Sequence, residues 1–150
     1  AHGRRNGVAV ALENLTTPLT NDPLLFRRIV AESDAHVTID IGHAHAVRNL
    51  HDRQDIFGDY VLPNRDRILN AHIYHTELSG FGHVPPGSLS DIHNRLDLLG
   101  LAASCDWWVI ELMNPSEALR TRDILRSYLA SLSIDAGMAS YHDPLPLVAA

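Results

Sequence analysis

The chain has 150 residues, 45% of them apolar and 20% charged, with a net charge of −6. That balance is ordinary for a globular domain with a real core. All twelve basic side chains are arginine, which excludes a lysine Schiff base from this segment, and no basic run offers nucleic acid an electrostatic foothold.

A single cysteine, Cys105, allows no internal disulfide and fits a reducing compartment, so the expected location is cytoplasmic. No apolar stretch reaches membrane-spanning length, and no membrane partner is expected.

Residues 1–7 (AHGRRNG) read as the tail of a helix stopped by Gly7. The first strand is predicted over 8–13. Asp22 then serves as an N-cap, with Pro23 in the first turn and Leu25, Phe26, Ile29 and Val30 as an apolar face to residue 32. The second strand is predicted over 36–41. Residues 42–63 are harder to read, with a short helix expected over 52–60.

The third strand is predicted over 68–75. It is followed by a Gly/Pro-rich loop, TELSGFGHVPPGS, of a length often reserved for function. Ser88 and Asp91 resemble a capping box before a helix marked by Ile92, Leu96 and Leu99. The fourth strand is predicted over 107–112, with Trp107 and Trp108 as core. Asn114, Pro115 and Glu117 open a last helix, buried through Ile124, Leu125, Tyr128 and Leu129. Residues 133–150 have weak periodicity and read as a tail.

The order βαβαβαβα predicts a parallel sheet with right-handed crossovers. Each strand ends in a group able to bind a metal or move a proton: Glu13, Asp40, His72 and Glu111, spaced 27, 32 and 39 residues apart. About one strand-plus-helix unit separates them, and a parallel barrel delivers such strand ends to one face.

Each position has a plainer reading. Glu13 and Glu111 could be solvated strand ends, Asp40 a loop cap and His72 a structural histidine. Recurrence in all four units favours convergence on one point. His43, three residues after Asp40, and His83, in the Gly/Pro loop, can reach the same opening. His45 and His75 read as loop residues.

The segments LEN (12–14), DIGHAH (40–45), AHIYH (71–75) with GFGHVPPGS, and WVIEL (108–112) together resemble the xylose isomerase-like TIM-barrel superfamily. That superfamily includes sugar phosphate isomerases and epimerases and the endonuclease IV relatives. The resemblance covers about residues 1–130 and matches the second half of the barrel, strands five to eight. It divides the chain into a partial barrel over 1–132 and a tail over 133–150.

The resemblance implies one divalent metal held by Glu13, Asp40, His72 and Glu111. It further implies His43 as a substrate contact; His83, from its own place in the Gly/Pro loop, is the second substrate-binding candidate and could close over a ligand. Three departures stand out. His75 occupies a position often held by Asp, and Phe81 occupies the position of an Asp that the three-metal nucleases use ahead of the loop histidine. An Arg that some epimerases place after the His72 position is not evident.

The expected activity is a metal-dependent sugar or sugar-phosphate isomerase or epimerase. Mn²⁺, Mg²⁺ or Co²⁺ suits the oxygen-rich ligand set, and Zn²⁺ is possible. Glu13 and Glu111 would move the proton next to a carbonyl. The alternatives are an endonuclease IV-like phosphodiesterase, which the negative charge disfavours, and a non-catalytic half-barrel. The expected partners are a small sugar or sugar phosphate, and either a missing N-terminal half-barrel or a second copy to close the sheet.

Overall fold

The computed structural model describes residues 2–48, 56–135 and 148–149. A short helix α1 (His2–Arg5) ends at Gly7, whose φ of +67° is the left-handed stop expected of it. Strand β1 (Ala11–Glu13) is shorter than the predicted 8–13. Its register explains why: Ala11 pairs with His36, the first residue of β2 (His36–Asp40), so residues 8–10 have no strand alongside them. Val8 and Val10 accordingly stay exposed.

Helix α2 (Pro23–Ser33) starts as expected, with Asp22 accepting hydrogen bonds from the backbone of Leu24 and Leu25. Phe26 and Val30 form its buried stripe. Strand β2 then runs directly into α3 (Ile41–Val47), a helix not predicted; the strand stops at Asp40, not at Ile41. Helix α4 (Ile56–Val61) passes into a 3₁₀ turn, Leu62–Asn64. It covers the second half of the predicted 52–60 helix, and residues 52–55 lie outside the described residues.

Strand β3 (Ile68–Ile73) stops two residues short of the predicted 68–75. The segment read as a loop contains an antiparallel hairpin, β4 (Thr76–Leu78) and β5 (Gly82–Val84). Its three-residue tip is possible because Gly80 and Gly82 adopt φ of 80° and 78°.

The capping box of Ser88 and Asp91 is present. It closes a 3₁₀ turn, Leu89–Asp91, ahead of α5 (His93–Leu99). Strand β6 (Trp107–Ile110) ends before Glu111 instead of reaching Leu112. Asn114 caps α6 (Pro115–Asp135) through the backbone of Ser116 and Glu117. From the predicted tail, α6 takes residues up to Asp135, and Val148–Ala149 adds a short strand, β7, beside β6.

The main sheet has the order β1-β2-β3-β6-β7, with every pair parallel. Neighbours follow chain order, apart from the separate hairpin, as in a segment of a barrel wall. Alternation divides the sheet into two faces. Val37, Ile39, Ala71, Ile73, Trp108 and Ile110 are buried on one, and they belong to the same core as Phe26, Tyr60, Leu96 and Tyr128. The opposite face carries Glu13, Thr38, Asp40, Asn70, His72, Trp107 and Val109. Trp107 on that face is 50% exposed, which corrects its reading as core; only Trp108 is buried. No described helix is long and apolar enough to cross a membrane.

Candidate metal centre

Register places the strand ends side by side. Asp40 pairs with His72, His72 pairs with Val109 two residues before Glu111, and Glu13 ends β1 opposite Thr38. All four predicted side chains therefore meet: one ligand atom from each of Glu13, Asp40, His72 and Glu111 lies within 4.8 Å of the others. His72 Nδ1 is the hub, at 2.9 Å from Glu111 Oε2, 3.3 Å from Glu13 Oε1 and 3.6 Å from Asp40 Oδ2.

Asn14 fixes the spacing between the first two strands. Its amide extends the β1–β2 pairing by one residue, accepting from Asp40 N at 2.8 Å and donating to Asp40 O at 2.9 Å. Asp40 serves two structures at once. Its Oδ1 accepts from His43 N at 2.7 Å and caps α3, whereas Oδ2 turns toward the cluster.

Proximity within the cluster does not amount to hydrogen bonding. Asp40 Oδ2, His72 Nδ1 and Glu111 Oε2 are buried and lack a hydrogen-bond partner, because the close pairs are not aligned for donation. Three acidic groups around one imidazole also leave a surplus of negative charge. Burial opposes the imidazolium of His72, but Asp40, Glu111 and Glu13 outweigh it and push the pKa up to about 11. Burial likewise opposes ionisation of Glu13, yet His43 and His72 bring it down to about 2. His72 holds Glu111 below the ordinary carboxylate range despite partial burial. The cluster draws in positive charge.

His43 and His83 face the same opening. His43 Nδ1 donates to the carbonyl of Asn14 at 3.0 Å, and its Nε2 lies 3.6 Å from Glu77 Oε2. Burial disfavours the charged form of His43, but Glu13, Asp40 and Glu77 raise its pKa. His83 Nδ1 donates to the carbonyl of Glu111 at 2.8 Å, and its ring stacks on Tyr74 at 4.0 Å between centroids.

Sequence reasoning missed Glu77. It gains its place by pairing across the hairpin with His83, a relationship invisible until the hairpin is known. Phe81, at the hairpin tip, is 87% exposed.

His45 and His75 lie outside the cluster. Their rings contact each other at 4.6 Å, His45 from within α3 and not from a loop. Both are held neutral, by burial first and then by Arg95. Arg95, also unmarked in the sequence, is buried and donates to the carbonyls of Ile41, His75 and Asp91. It pins together the segments that follow β2 and β3 and the turn before α5.

No family model matches the chain. An uncharacterized protein of Methanocaldococcus jannaschii is 33% identical over 125 residues, covering 83% of this chain and 52% of that protein. A solved D-tagatose 3-epimerase-like protein superposes with a TM-score of 0.60 at 20% identity, covering 90% of this chain and 52% of that chain. The chain thus spans about half the length of the curated relative it matches. Its fold is that of part of a TIM barrel, as the strand order and spacing predicted.

Proposed function

We propose that the chain carries the metal centre of a divalent-cation-dependent sugar or sugar-phosphate isomerase or epimerase that works by proton transfer next to a carbonyl. The observation that carries this reading is the set of orphaned donors. Asp40 Oδ2, His72 Nδ1 and Glu111 Oε2 are buried without partners beside Glu13, a donor set that a divalent cation would satisfy. Glu13, Asp40, His72 and Glu111 would hold the ion, and three carboxylates with one imidazole suit Mn²⁺, Mg²⁺ or Co²⁺, with Zn²⁺ possible. A divalent ion bound there polarises adjacent carbonyl and hydroxyl oxygens of a sugar.

The chain's own groups would move the proton. Glu13 approaches from β1 and Glu111 from the end of β6, on either side of His72. Both sit below the ordinary carboxylate range and are ionised at neutral pH, as a proton acceptor must be. One carboxylate removes the proton from the carbon and the other returns it. His43 and His83 contact the substrate at the mouth. The likeness to a D-tagatose 3-epimerase-like protein agrees with a sugar as substrate. The net charge of −6 and the exposed Phe81 weigh against a phosphodiesterase.

The open sheet face calls for a cover. Parallel sheets are normally buried on both sides, whereas Trp107 and the edge residues Val8 and Val10 are at least half exposed. A second half-barrel, from further chain or from a second copy, would close the sheet.

The test is solvent exchange in D₂O with the barrel completed, over a panel of ketoses, aldoses and their phosphates. Deuterium should enter the carbon next to the carbonyl and should stop entering in Glu13→Gln or Glu111→Gln. Cleavage of abasic DNA, with no exchange on any sugar, would overturn the reading.

A further inference from the structure

We infer that Arg95 is a positioning residue for the metal centre: its guanidinium fixes the separation of Asp40 and His72 by joining the two chain segments that leave those residues. The inference rests on the four-ligand reading and concerns a side chain outside the ligand set.

The separation of two groups on neighbouring strands is normally set by the ladder between them. Asp40 and His72 are the last registered pair of β2 and β3. Beyond them the two segments part. One enters α3 at Ile41, and the other, past Ile73, enters the hairpin. The ligands therefore sit where the backbone ladder gives out. Between β1 and β2 the Asn14 amide takes over at the same level, bonding Asp40 through both its N–H and its carbonyl. Arg95 supplies the corresponding link between β2 and β3.

It reaches this point from α5. Its Nη1 donates at 2.8 Å to the carbonyl of Ile41, the residue after Asp40. The same nitrogen donates at 2.7 Å to the carbonyl of His75, three residues after His72. Nη1 carries one hydrogen for each of the two carbonyls. Nη2 donates to the Asp91 carbonyl and, at 3.1 Å, to His75 Nδ1. A guanidinium only donates, so that ring nitrogen accepts. All four N–H groups at the end of the fork thus have an acceptor, and the planar guanidinium fixes their directions.

Arg95 is only 8% exposed, and none of these four acceptors is a carboxylate. A buried cation held by neutral acceptors is a poor way to stabilise a fold, because taking its charge out of water is costly. A leucine on α5 would fill space there without that cost, but it could not join two carbonyls. The link across the strand ends is what the position requires.

The experiment uses the full chain with the barrel completed as above. Mn²⁺ dissociation constants are measured by electron paramagnetic resonance of the free ion, at a temperature where urea melts show each chain folded. Arg95→Lys keeps the charge and loses the fork. It should weaken Mn²⁺ binding by about tenfold, the lower end of what loss of a supporting partner costs a metal site. Arg95→Met should weaken it at least as much; if that variant does not fold, Arg95→Lys carries the test. His72→Ala, which removes a ligand, shows whether the ion sits on the four-ligand centre. Amide exchange on the metal-free chains gives a second readout. In Arg95→Lys, exchange should quicken at the N–H groups of Asp40 and His43, at the strand end, more than along the rest of β2.

An unchanged Mn²⁺ dissociation constant in the folded Arg95 variants would overturn the inference. So would exchange that quickens evenly along β2 and β3, the mark of a residue that only adds stability. If the wild type binds no Mn²⁺, or His72→Ala binds it equally well, the four-ligand reading fails instead. The exchange pattern then decides alone whether Arg95 holds the two strand ends together.

Discussion

The ring of Tyr74 fills the space that a β-carbon on Gly42 would need. That carbon would fall 2.0 Å from Cε2 and 2.4 Å from Cδ2 and Cζ of the ring. Gly42 is the second residue of α3, between Asp40 and His43, and Tyr74 follows β3 with no exposed surface. The missing side chain lets the two segments touch, and it sets the ring on which His83 stacks.

Gly42→Ala should therefore lower stability by about 1–3 kcal/mol, the usual cost of forcing extra atoms into a packed interior. Urea unfolding with and without the substitution measures this. An unchanged midpoint would mean that Tyr74 can move aside freely.

The two oxygens of Asp40 allow its structural and ligand roles to be separated. Asparagine caps helices about as well as aspartate, so Asp40→Asn should leave the metal-free chain close to wild-type stability. Asp40→Ala should cost about 1–2 kcal/mol by removing the cap. Saturating Mn²⁺ at a hundred times its dissociation constant stabilises a folded protein by about 2.7 kcal/mol. That gain should be present in the wild type and absent from Asp40→Asn. Equal Mn²⁺ stabilisation of both chains in a thermal melt would remove Asp40 from the ligand set.

Cys105 should be chemically quiet. Burial pushes its thiol up to about 12, so the reactive thiolate is scarce at neutral pH. Iodoacetamide at pH 8 should alkylate the native chain far more slowly than the urea-unfolded chain. Equal rates would place the thiol in water.

The four strand ends were legible because a carboxylate or histidine closing an apolar run is unusual, and the run recurred at regular intervals. What stayed hidden depended on pairing or on a change of period. Ile39 and Ile41 flank Asp40 with strand-like alternation, which concealed that the helix starts at Ile41. The three-residue strands β4 and β5 are too short to show any period, so Glu77 looked like one more loop acid. Arg95 sits on a helix as an ordinary charged residue, and its role comes from the carbonyls of Ile41 and His75, 54 and 20 residues away in sequence, together with that of Asp91 one turn back. The strand of Val148–Ala149 is two residues long and owes its existence to β6 beside it.

The hairpin separates what must be kept from what can be varied. Glu77 and His83 occupy paired positions in the ladder, while the turn between Leu78 and Gly82 holds only Ser79, Gly80 and the exposed Phe81. The Phe81 N–H closes that turn onto the Leu78 carbonyl at 2.9 Å. A longer or shorter turn grafted there would leave the ladder register, and with it both side chains, in place. This tip is the natural point to splice in new loops when altering what the mouth of the barrel admits, with the chemistry beneath left untouched.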